Sequence, residues 1–352
     1  RGRTNVARLV AARLVRLGAV LLAVSFLTFM MANVLPGDPI DALIPIELQE
    51  DQEFVAELRE EWGLNDPLLG RYGRWLGNAV QGDLGKSYIT GRPIMDEVTP
   101  RLPITAELMV VSIGLALLVA VPLGVLSAYR EGSSTDQSVT AGALLGISTP
   151  NFLLGIILIY FMAVKLQWFP AVGWVRISDS FTGNLKSVAL PAVSLAVAEA
   201  AVYTRLVRSD MIATLQENYI LSARAKGLRD RFILFRHGLR PSSLTLITVV
   251  GLNMAGLIGG TVVLERLFAI PGLGWRFFGA FFQRDYMMIQ GITMLIAAFY
   301  VIINAVVDFI YLAVDPRILG GSRSGRLRRF QRRAGLSPVV GFRATVRGVG
   351  RR

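Results

Sequence analysis

Long apolar blocks, separated by polar and charged stretches, dominate the pattern of this chain. Six blocks approach or exceed the roughly 20 residues that a helix needs to cross a bilayer: residues 17–35, 106–129, 139–164, 187–206, 244–263 and 290–313. Within each block the apolar residues run on instead of alternating with polar ones, which is typical of buried or lipid-facing helices. The pattern predicts an all-α integral membrane protein with six transmembrane helices.

Local signals refine three of the predicted spans. Pro150 lies in the third span and Pro191 in the fourth. Spanning helices tolerate proline where neighbouring groups satisfy the freed carbonyls, so we expect kinks at both sites rather than breaks. The first apolar block is long, and no small-residue cleavage site precedes residue 36. We therefore expect a retained span there rather than a cleaved signal peptide.

Charge divides the polar segments into two sets. Residues 1–16, the loop 207–240 and the tail 318–352 are rich in Lys and Arg, whereas the loop 36–105 contains a cluster of acids. Loops rich in Lys and Arg stay on the cytoplasmic side. With six spans across a domain of residues 17–317, all basic segments fall on one face, which predicts cytoplasmic termini and an extracytoplasmic acidic loop. The tail resembles a disordered polybasic segment, for which contact with anionic lipid is favoured over nucleic acid.

Two short helices are predicted within the acidic loop. Apolar residues recur there at near-helical spacing, first at Phe54, Leu58, Trp62 and Leu64, and then at Leu68, Tyr72, Trp75, Leu76 and Val80. Two arrangements stay open. The helices either lie at the membrane interface through their aromatic residues, available to an extracytoplasmic partner, or form a lid packed on the spans.

Composition excludes several classes of protein. Of 352 residues, 53% are hydrophobic and only 18% are charged, with a mean hydropathy of +0.51, which a soluble globule does not accommodate. The chain has no cysteine and a single histidine, His237, so disulfides, thiolate chemistry and histidine-based metal centres are excluded.

The residues argue against a nucleotide-binding loop and against an intramembrane protease. Gly85-Lys86-Ser87 resembles the end of a phosphate-binding loop, but the position of its first glycine is Val80, so no nucleotide site is visible. An intramembrane serine protease needs a serine and a histidine within the membrane. His237 lies in a basic loop, and no Gly-x-Ser-x-Gly occurs. We predict no catalytic residues and no metal site.

Polar residues inside the predicted spans are candidates for function. Glu199 and Tyr203 share one face of the fourth span, Asn304 and Asp308 share one face of the sixth, and Glu265 lies at the outer end of the fifth. Such groups either line a polar pathway or fix helix packing by buried hydrogen bonds. For Glu199 both readings stay open, and for Asp308 the packing role is favoured.

A short helix is predicted at residues 217–228, between the fourth and fifth spans. Its residues favour a helix, Gly227 is a C-terminal stop, and Arg224 and Lys226 lie where cations suit a helix end. The helix is too short and too charged to cross a bilayer. It is either a solvated loop helix or a surface that docks into a groove of a soluble partner.

The order of residues in this helix, NYILSARAKGL at 218–228, resembles the coupling loop of ABC-importer permeases, in the form found in dipeptide and oligopeptide permeases of the DppB/OppB type. The same family pattern continues in order through LPGDP at 35–39, GDLG at 82–85, STPNF at 148–152, PGLG at 271–274, RDY at 284–286, QG at 290–291, NAVVDFIY at 304–311 and DPR at 315–317. The resemblance covers residues 8–317. Two features depart from it, because Leu221 occupies the position of the glutamate that names the motif and the basic tail extends beyond the family's usual end.

The resemblance implies a type I ABC-importer permease in the bacterial plasma membrane, without catalysis of its own. Its partners would be a second homologous permease, two cytoplasmic ATPase subunits or domains that bind ATP and Mg, and an extracytoplasmic substrate-binding protein. The 218–228 helix would sit in a groove of one ATPase, whose closure would switch the spans between two packings. Ala223 and Gly227 would permit close approach, and Tyr219, Arg224 and Lys226 would supply the anchoring contacts. Asn218, Ala225 and Leu228 complete the set of coupling positions.

The implied substrates are di- or oligopeptides. We hypothesise in addition that polar groups such as Glu199 contact the backbone or amino terminus of the peptide. Relatives of this family carry nickel, haem, glutathione or sugars on the same machinery, so these stay open as alternatives. A stand-alone secondary carrier is disfavoured, because six spans and no detectable internal duplication do not match the usual inverted repeats of such carriers.

Overall fold

The computed structural model describes residues 2–34, 40, 51–61 and 63–314, and its regular elements in this part of the chain are helices. They are α1 (Gly2–Val34), α2 (Gln52–Glu61), α3 (Leu68–Val80), α4 (Ile94–Val98), α5 (Leu102–Tyr129), α6 (Ser134–Ser148), α7 (Asn151–Leu158, continued by a π-helical segment Ile159–Lys165), α8 (Phe181–Leu215), α9 (Asn218–Ala225), α10 (Asp230–Phe232, continued by a π-helical segment Ile233–Leu239), α11 (Arg240–Leu267), α12 (Leu273–Phe282) and α13 (Tyr286–Val314). The helix packing lies within the compact unit Arg1–Phe309.

Three helical segments within the described residues are long and apolar enough to cross a membrane: Leu102–Tyr129, Phe181–Leu215 and Tyr286–Val306. Two bent pairs also qualify, Ser134–Ser148 with Asn151–Lys165 and Thr245–Met254 with Gly256–Leu267, bent by 98° and 48°. Counting each pair as one span gives up to five. The remaining predicted block lies in α1, where the apolar stretch Val15–Met31 is shorter.

The third predicted span is interrupted at Pro150, where one helix ends and another begins, so the expectation of a kink there is wrong. Thr149 (φ −92°, ψ 118°) and Pro150 (φ −60°, ψ 135°) are both extended, between the end of α6 and the start of α7. Proline disfavours the helical conformation in the residue before it, so the helix ends at Ser148 and a new one begins at a different angle. By contrast, α8 continues through Pro191.

The helices α5 and α8 form the centre of the bundle and approach each other closely. Ala116 and Ala120 of α5 and Ala196 and Ala200 of α8 are buried in one cluster. A Cβ atom at Gly124 would lie 2.7 Å from the Val207 Cβ and 2.9 Å from the Thr204 carbonyl oxygen. Small residues allow two membrane helices to pack backbone against backbone, because no side chain separates them.

Both predicted loop helices form, as α2 and α3, and α3 packs on the protein. The Tyr72 hydroxyl lies 2.9 Å from the Ser25 Oγ of α1, and the Tyr72 ring contacts Phe26 edge-on. Trp75 is buried and donates from Nε1 to the Leu84 carbonyl oxygen at 3.2 Å. For α3 the lid arrangement is therefore observed, while the Trp62 prediction lies outside the described residues.

A polar network fixes the segment before α5 to the corner between α12 and α13. Asp285 is fully buried and accepts hydrogen bonds from the Ser87 hydroxyl and from the Tyr88 backbone N–H, the latter at 3.3 Å. Arg276 donates from Nε to Glu97 at 2.6 Å and approaches Asp285 at 3.5 Å. These contacts give a physical role to Ser87 and to the motif at 284–286.

Replacing Glu97 with glutamine is expected to flatten the acid side of the thermal stability profile. Burial raises the pKa of Glu97, but hydrogen bonds from Thr90 and Arg276 outweigh it, so the pKa lies below its ordinary value of 4.5. A carboxyl with a lowered folded-state pKa loses its contribution to stability as pH falls through that pKa. In detergent, the wild-type melting temperature should therefore fall more steeply below about pH 4.5 than that of Glu97→Gln. Asp96→Asn, an exposed neighbour, is the control, and equal slopes for wild type and Glu97→Gln would contradict the prediction.

Candidate functional site

The helix α9 begins and ends as the sequence predicts. Glu217 is extended before it, and Gly227, with φ +73°, terminates it. The Gly227 N–H donates to the Arg224 carbonyl at 2.9 Å, and the Leu228 N–H donates to the Ala223 carbonyl at 3.3 Å. A left-handed residue at this position favours glycine, because a Cβ atom would be strained there. The predicted stop at Gly227 is confirmed.

One face of α9 packs against the rest of the chain, and the remaining surface is exposed. Ile220 is fully buried, and with Ala223 and Ile233 it forms a small core against which Leu215 packs. Residues three apart share a helix face. Ala223 therefore faces the chain itself, which argues against its expected role in the approach of a partner. The exposed set comprises Asn218, Tyr219, Leu221, Ser222, Arg224, Ala225, Lys226, Gly227 and Leu228.

Side chains around α9 connect it to the long helices. The Tyr219 hydroxyl donates to the His237 carbonyl oxygen at 3.3 Å. Burial and the nearby Glu217 carboxylate raise the pKa of Tyr219, so its phenol stays a neutral donor. The Tyr129 hydroxyl, at the end of α5, donates to Asp230 at 2.9 Å. One hydrogen bond therefore links α9 to the segment leading to α11, and the other links α10 to α5.

An ion pair that sequence reasoning missed ties three helices together near α9. Arg208 donates from Nε and Nη2 to the two carboxylate oxygens of Asp136, at 2.6 and 2.8 Å. The Ser127 hydroxyl and the Gly132 N–H donate to the same carboxylate. We name these four residues the inner clamp. The sequence pattern placed Arg208 in the basic loop, because the apolar block ends at residue 206. In the structure α8 continues to Leu215 and includes Arg208.

The predicted pathway residues are only partly brought together. The half-buried Glu199 accepts a hydrogen bond from the Asn253 amide of α11 at 2.9 Å. Tyr203 is fully buried, and its hydroxyl lies beside this pair without hydrogen-bonding geometry. Asn304 instead donates to a carbonyl of its own helix at 3.0 Å. The side chain of Asp308 lies outside the described residues.

A cavity of about 480 Å³ lies between α6, α8 and α11. We name it the α8 groove, and its lining includes Thr140, Ile147, Val202, Arg205, Ser209 and Val249. Arg205 is exposed in it. Among the described residues, no group of three or more His, Asp or Glu side chains is placed to hold a metal ion.

Glu265 has a structural role in holding neighbouring segments together. It is fully buried, accepts from the Thr105 hydroxyl at 2.6 Å and from the Trp275 N–H at 2.9 Å, and thereby holds the start of α12. A Cβ atom at Gly272 would lie 2.5 Å from the Glu265 carboxylate. The glycine-rich motif at 271–274 therefore allows the chain to close over this buried acid.

Comparison with known proteins places these features in a family. The profile described as "Binding-protein-dependent transport system inner membrane component" matches residues 120–320, and the corresponding N-terminal profile matches residues 6–109. The oligopeptide transport system permease protein AppB of Bacillus subtilis is 42% identical over 303 residues, which cover 85% of this chain and 95% of that protein. A putative peptide transport system permease protein of Brucella suis is 37% identical over 299 residues, with 85% and 95% covered.

Solved structures agree on the fold. An inward-facing structure of the MetNI methionine ABC transporter matches with a TM-score of 0.53 and 19% identity, over 63% of this chain and 97% of that one. The predicted resemblance to ABC-importer permeases is confirmed, and with it a multi-pass protein of the plasma membrane. Such permeases carry out no catalysis, since ATP is used by partner ATPases. This chain belongs to the family of binding-protein-dependent transport system inner membrane components, the permease subunits of ABC importers.

Proposed function

We propose that this permease imports di- and oligopeptides, delivered by an extracytoplasmic binding protein, in a complex with a second homologous permease and two ATPase subunits. The names of its relatives, which are oligopeptide and peptide permeases, support the substrate. The basic segments support six spans with both termini in the cytoplasm. In this topology α1 supplies the first span through its apolar stretch Val15–Met31, in addition to the five spans described above.

The mechanism is supported by the packing of α9, which has one face buried against its own chain and the rest of its surface exposed. Its inner face is fixed by Ile220, while the side chains of Tyr219, Arg224 and Lys226 are exposed around that buried face. We assign this exposed face to a groove of one ATPase. ATP-driven closure of the ATPases then moves α9 as a unit, because it is seated on its own chain and tied to the bundle by the Tyr219–His237 contact.

A second assignment concerns the path that the substrate takes across the membrane. We place Glu199 and Tyr203 of α8, and Asn304 and Asp308 of α13, on a polar path between the two permeases. For Glu199, the support is a half-buried carboxylate oriented by Asn253 within an apolar helix, which is costly to keep without a role.

Reversing the charge of the exposed face of α9 tests the coupling proposal. The double variant Arg224→Glu/Lys226→Glu is expected to lose its ATPase subunits on purification and to reduce ATP-dependent peptide uptake into proteoliposomes by more than about tenfold, because charge-complementary contacts become repulsive. The matched control is Lys165→Glu/Lys186→Glu, two exposed cations that lie outside α9 and its flanking segments in the chain. Equal retention of ATPase in both variants would contradict docking through α9. A wild-type complex without ATP-dependent peptide uptake would contradict the peptide function.

A further inference from the structure

The α8 groove, with its volume of about 480 Å³, follows the length of two neighbouring helices. On α8, the lining residues Val202, Arg205 and Ser209 are spaced by three and four positions, so they share one face of the helix. On α6, the lining residues Thr140 and Ile147 are seven positions apart and also share a face. Seven residues of helix measure about 10 Å at 1.5 Å per residue, so the groove is an elongated strip.

Two contacts show which lining residues lie at the same end of this strip. The inner clamp joins the start of α6 to the later part of α8. Farther along α6, a Cβ atom at Gly146 would lie 3.0 Å from the Cβ of Ala201, an earlier residue of α8. The two helices are therefore antiparallel, and Thr140 lies at the same end of the groove as Arg205 and Ser209.

The opposite end of the groove is apolar. Ile147 of α6 and Val202 of α8 lie at this end, and Val249 of α11 contributes to the same wall. Ile147 is exposed, so the wall is open to whatever surrounds the helices. The groove thus combines a polar end with an apolar strip, and both run along the direction of the helices.

The polar end carries a positive charge that its own lining does not balance. Arg208 is held at both carboxylate oxygens of Asp136, whereas Arg205 is exposed and no carboxylate of the described residues forms an ion pair with it. No acid lines the groove in the part of the chain that the structure describes. A guanidinium matches phosphate oxygens in a two-point hydrogen bond, and the hydroxyls of Thr140 and Ser209 at the same end are further donors.

Building on the topology of the proposed function, the polar end of the groove faces the cytoplasm, because α8 leads from there into the basic loop 207–240. The cytoplasmic leaflet contains anionic phospholipids, and basic pockets between spanning helices on this side suit their headgroups. A free phosphate ion would use the polar end alone. A phospholipid matches both parts of the groove, since its acyl chain covers the apolar wall while its phosphate meets the cation.

We propose that the α8 groove binds one anionic phospholipid of the cytoplasmic leaflet. Arg205 binds the phosphate, with the hydroxyls of Thr140 and Ser209 beside it, and an acyl chain lies along Ile147 and Val202. Because Arg208 both lines the groove and belongs to the inner clamp, the bound lipid lies against the contact that joins α8 to α6.

Cross-linking of a lipid to the complete transport complex tests this site. The complex is purified in detergent, depleted of lipid and incubated with phosphatidylglycerol that carries a photoreactive diazirine in one acyl chain. Adducts on α6 and α8 are quantified by mass spectrometry, with unlabelled phosphatidylglycerol, phosphatidylcholine or inorganic phosphate as competitor. For wild type, phosphatidylglycerol is expected to compete about tenfold better than phosphatidylcholine, whose headgroup carries its own cation, and inorganic phosphate is expected not to compete.

Two pairs of variants locate the headgroup and the chain. In Arg205→Gln the two lipids should compete nearly equally, whereas Lys186→Gln, which removes an exposed cation near the other end of α8, should match wild type. Ile147→Trp narrows the apolar end and should lower the adducts on α8 several-fold. Leu145→Trp, at a more exposed position of α6 outside the lining, is its matched control.

Several results would refute the lipid site. These are equal competition by the two lipids in wild type, displacement by inorganic phosphate, a wild-type preference in Arg205→Gln, or equal losses in the two tryptophan variants. An absence of adducts on α6 and α8 would refute it as well, because another chain of the complex would then cover the groove. ATP-dependent peptide uptake by the same wild-type complex is measured separately. Absence of that uptake would refute the peptide importer and leave the lipid site standing.

Discussion

Leucine at Gly124 is expected to prevent α5 and α8 from packing and to remove most of the folded permease from the membrane. A Cβ atom at this position would lie 2.7 Å from the Val207 Cβ and 2.9 Å from the Thr204 carbonyl oxygen. The carbonyl belongs to the helix backbone, which cannot rotate out of the way as a side chain can. Because α5 and α8 share the core of small and apolar residues, the whole helix pair would have to separate.

The size of the effect can be graded. Alanine at the same position adds one carbon atom and is expected to cost about 1–3 kcal/mol, as overpacking of a tight core usually does. Leucine adds three more carbon atoms and exceeds that range. The yield of monodisperse protein extracted from membranes, and its melting temperature followed by tryptophan fluorescence, measure both variants.

Gly114 provides the matched control within the same helix. It is exposed, and a Cβ atom there would meet no heavy atom within 4 Å. Gly114→Leu adds the same side chain to α5 and is expected to leave yield and melting temperature close to wild type. If Gly114→Leu and Gly124→Leu lose folded protein equally, close packing at Gly124 is not the cause.

The parts of the fold that were predictable from sequence depend on local rules. Apolar blocks located the long helices, and the stop at Gly227 followed from the left-handed backbone that a helix end favours. The break at Pro150 was missed for a physical reason. A proline inside a span kinks or breaks it according to whether the preceding residue stays helical, and here Thr149 is extended.

The missed parts depend on contacts between distant residues. Asp136 and Arg208 are 72 positions apart, so their pairing is visible only once α6 and α8 are packed together. The hydropathy pattern ended the fourth span where its charges begin, although the helix runs on to Leu215. The same limit applies to the candidate site, since the resemblance assigned Ala223 to the approach of a partner, whereas Ala223 packs with Ile233 in the core beneath α9.

Breaking the inner clamp is expected to weaken both the stability of the permease and its coupling to ATP. Asp136→Asn leaves the Arg208 guanidinium without a charge partner and removes half of a two-point hydrogen bond. Loss of one partner of a buried pair costs about 3–5 kcal/mol. The Arg208 side chain is 29% exposed, so water can solvate the unpaired guanidinium in part. We therefore expect the free energy of unfolding to fall by about 2 kcal/mol. For a chain of 352 residues, that corresponds to a fall of about 3 °C in melting temperature.

The clamp also joins α8, which leads into α9, to the ends of α5 and α6, so its loss should let α9 move without carrying those helices along. In the reconstituted complex we therefore expect ATP hydrolysis to persist while peptide uptake falls several-fold. Glu131→Gln, an exposed acid in the same loop, is the control for a lost negative charge.

The double variant Asp136→Asn/Arg208→Gln removes both charges and should be more stable than Asp136→Asn, because no uncompensated cation is left. A double variant that is less stable than the single one would show that the two residues act separately, and uptake falling only in proportion to ATP hydrolysis would show that the clamp has no part in coupling.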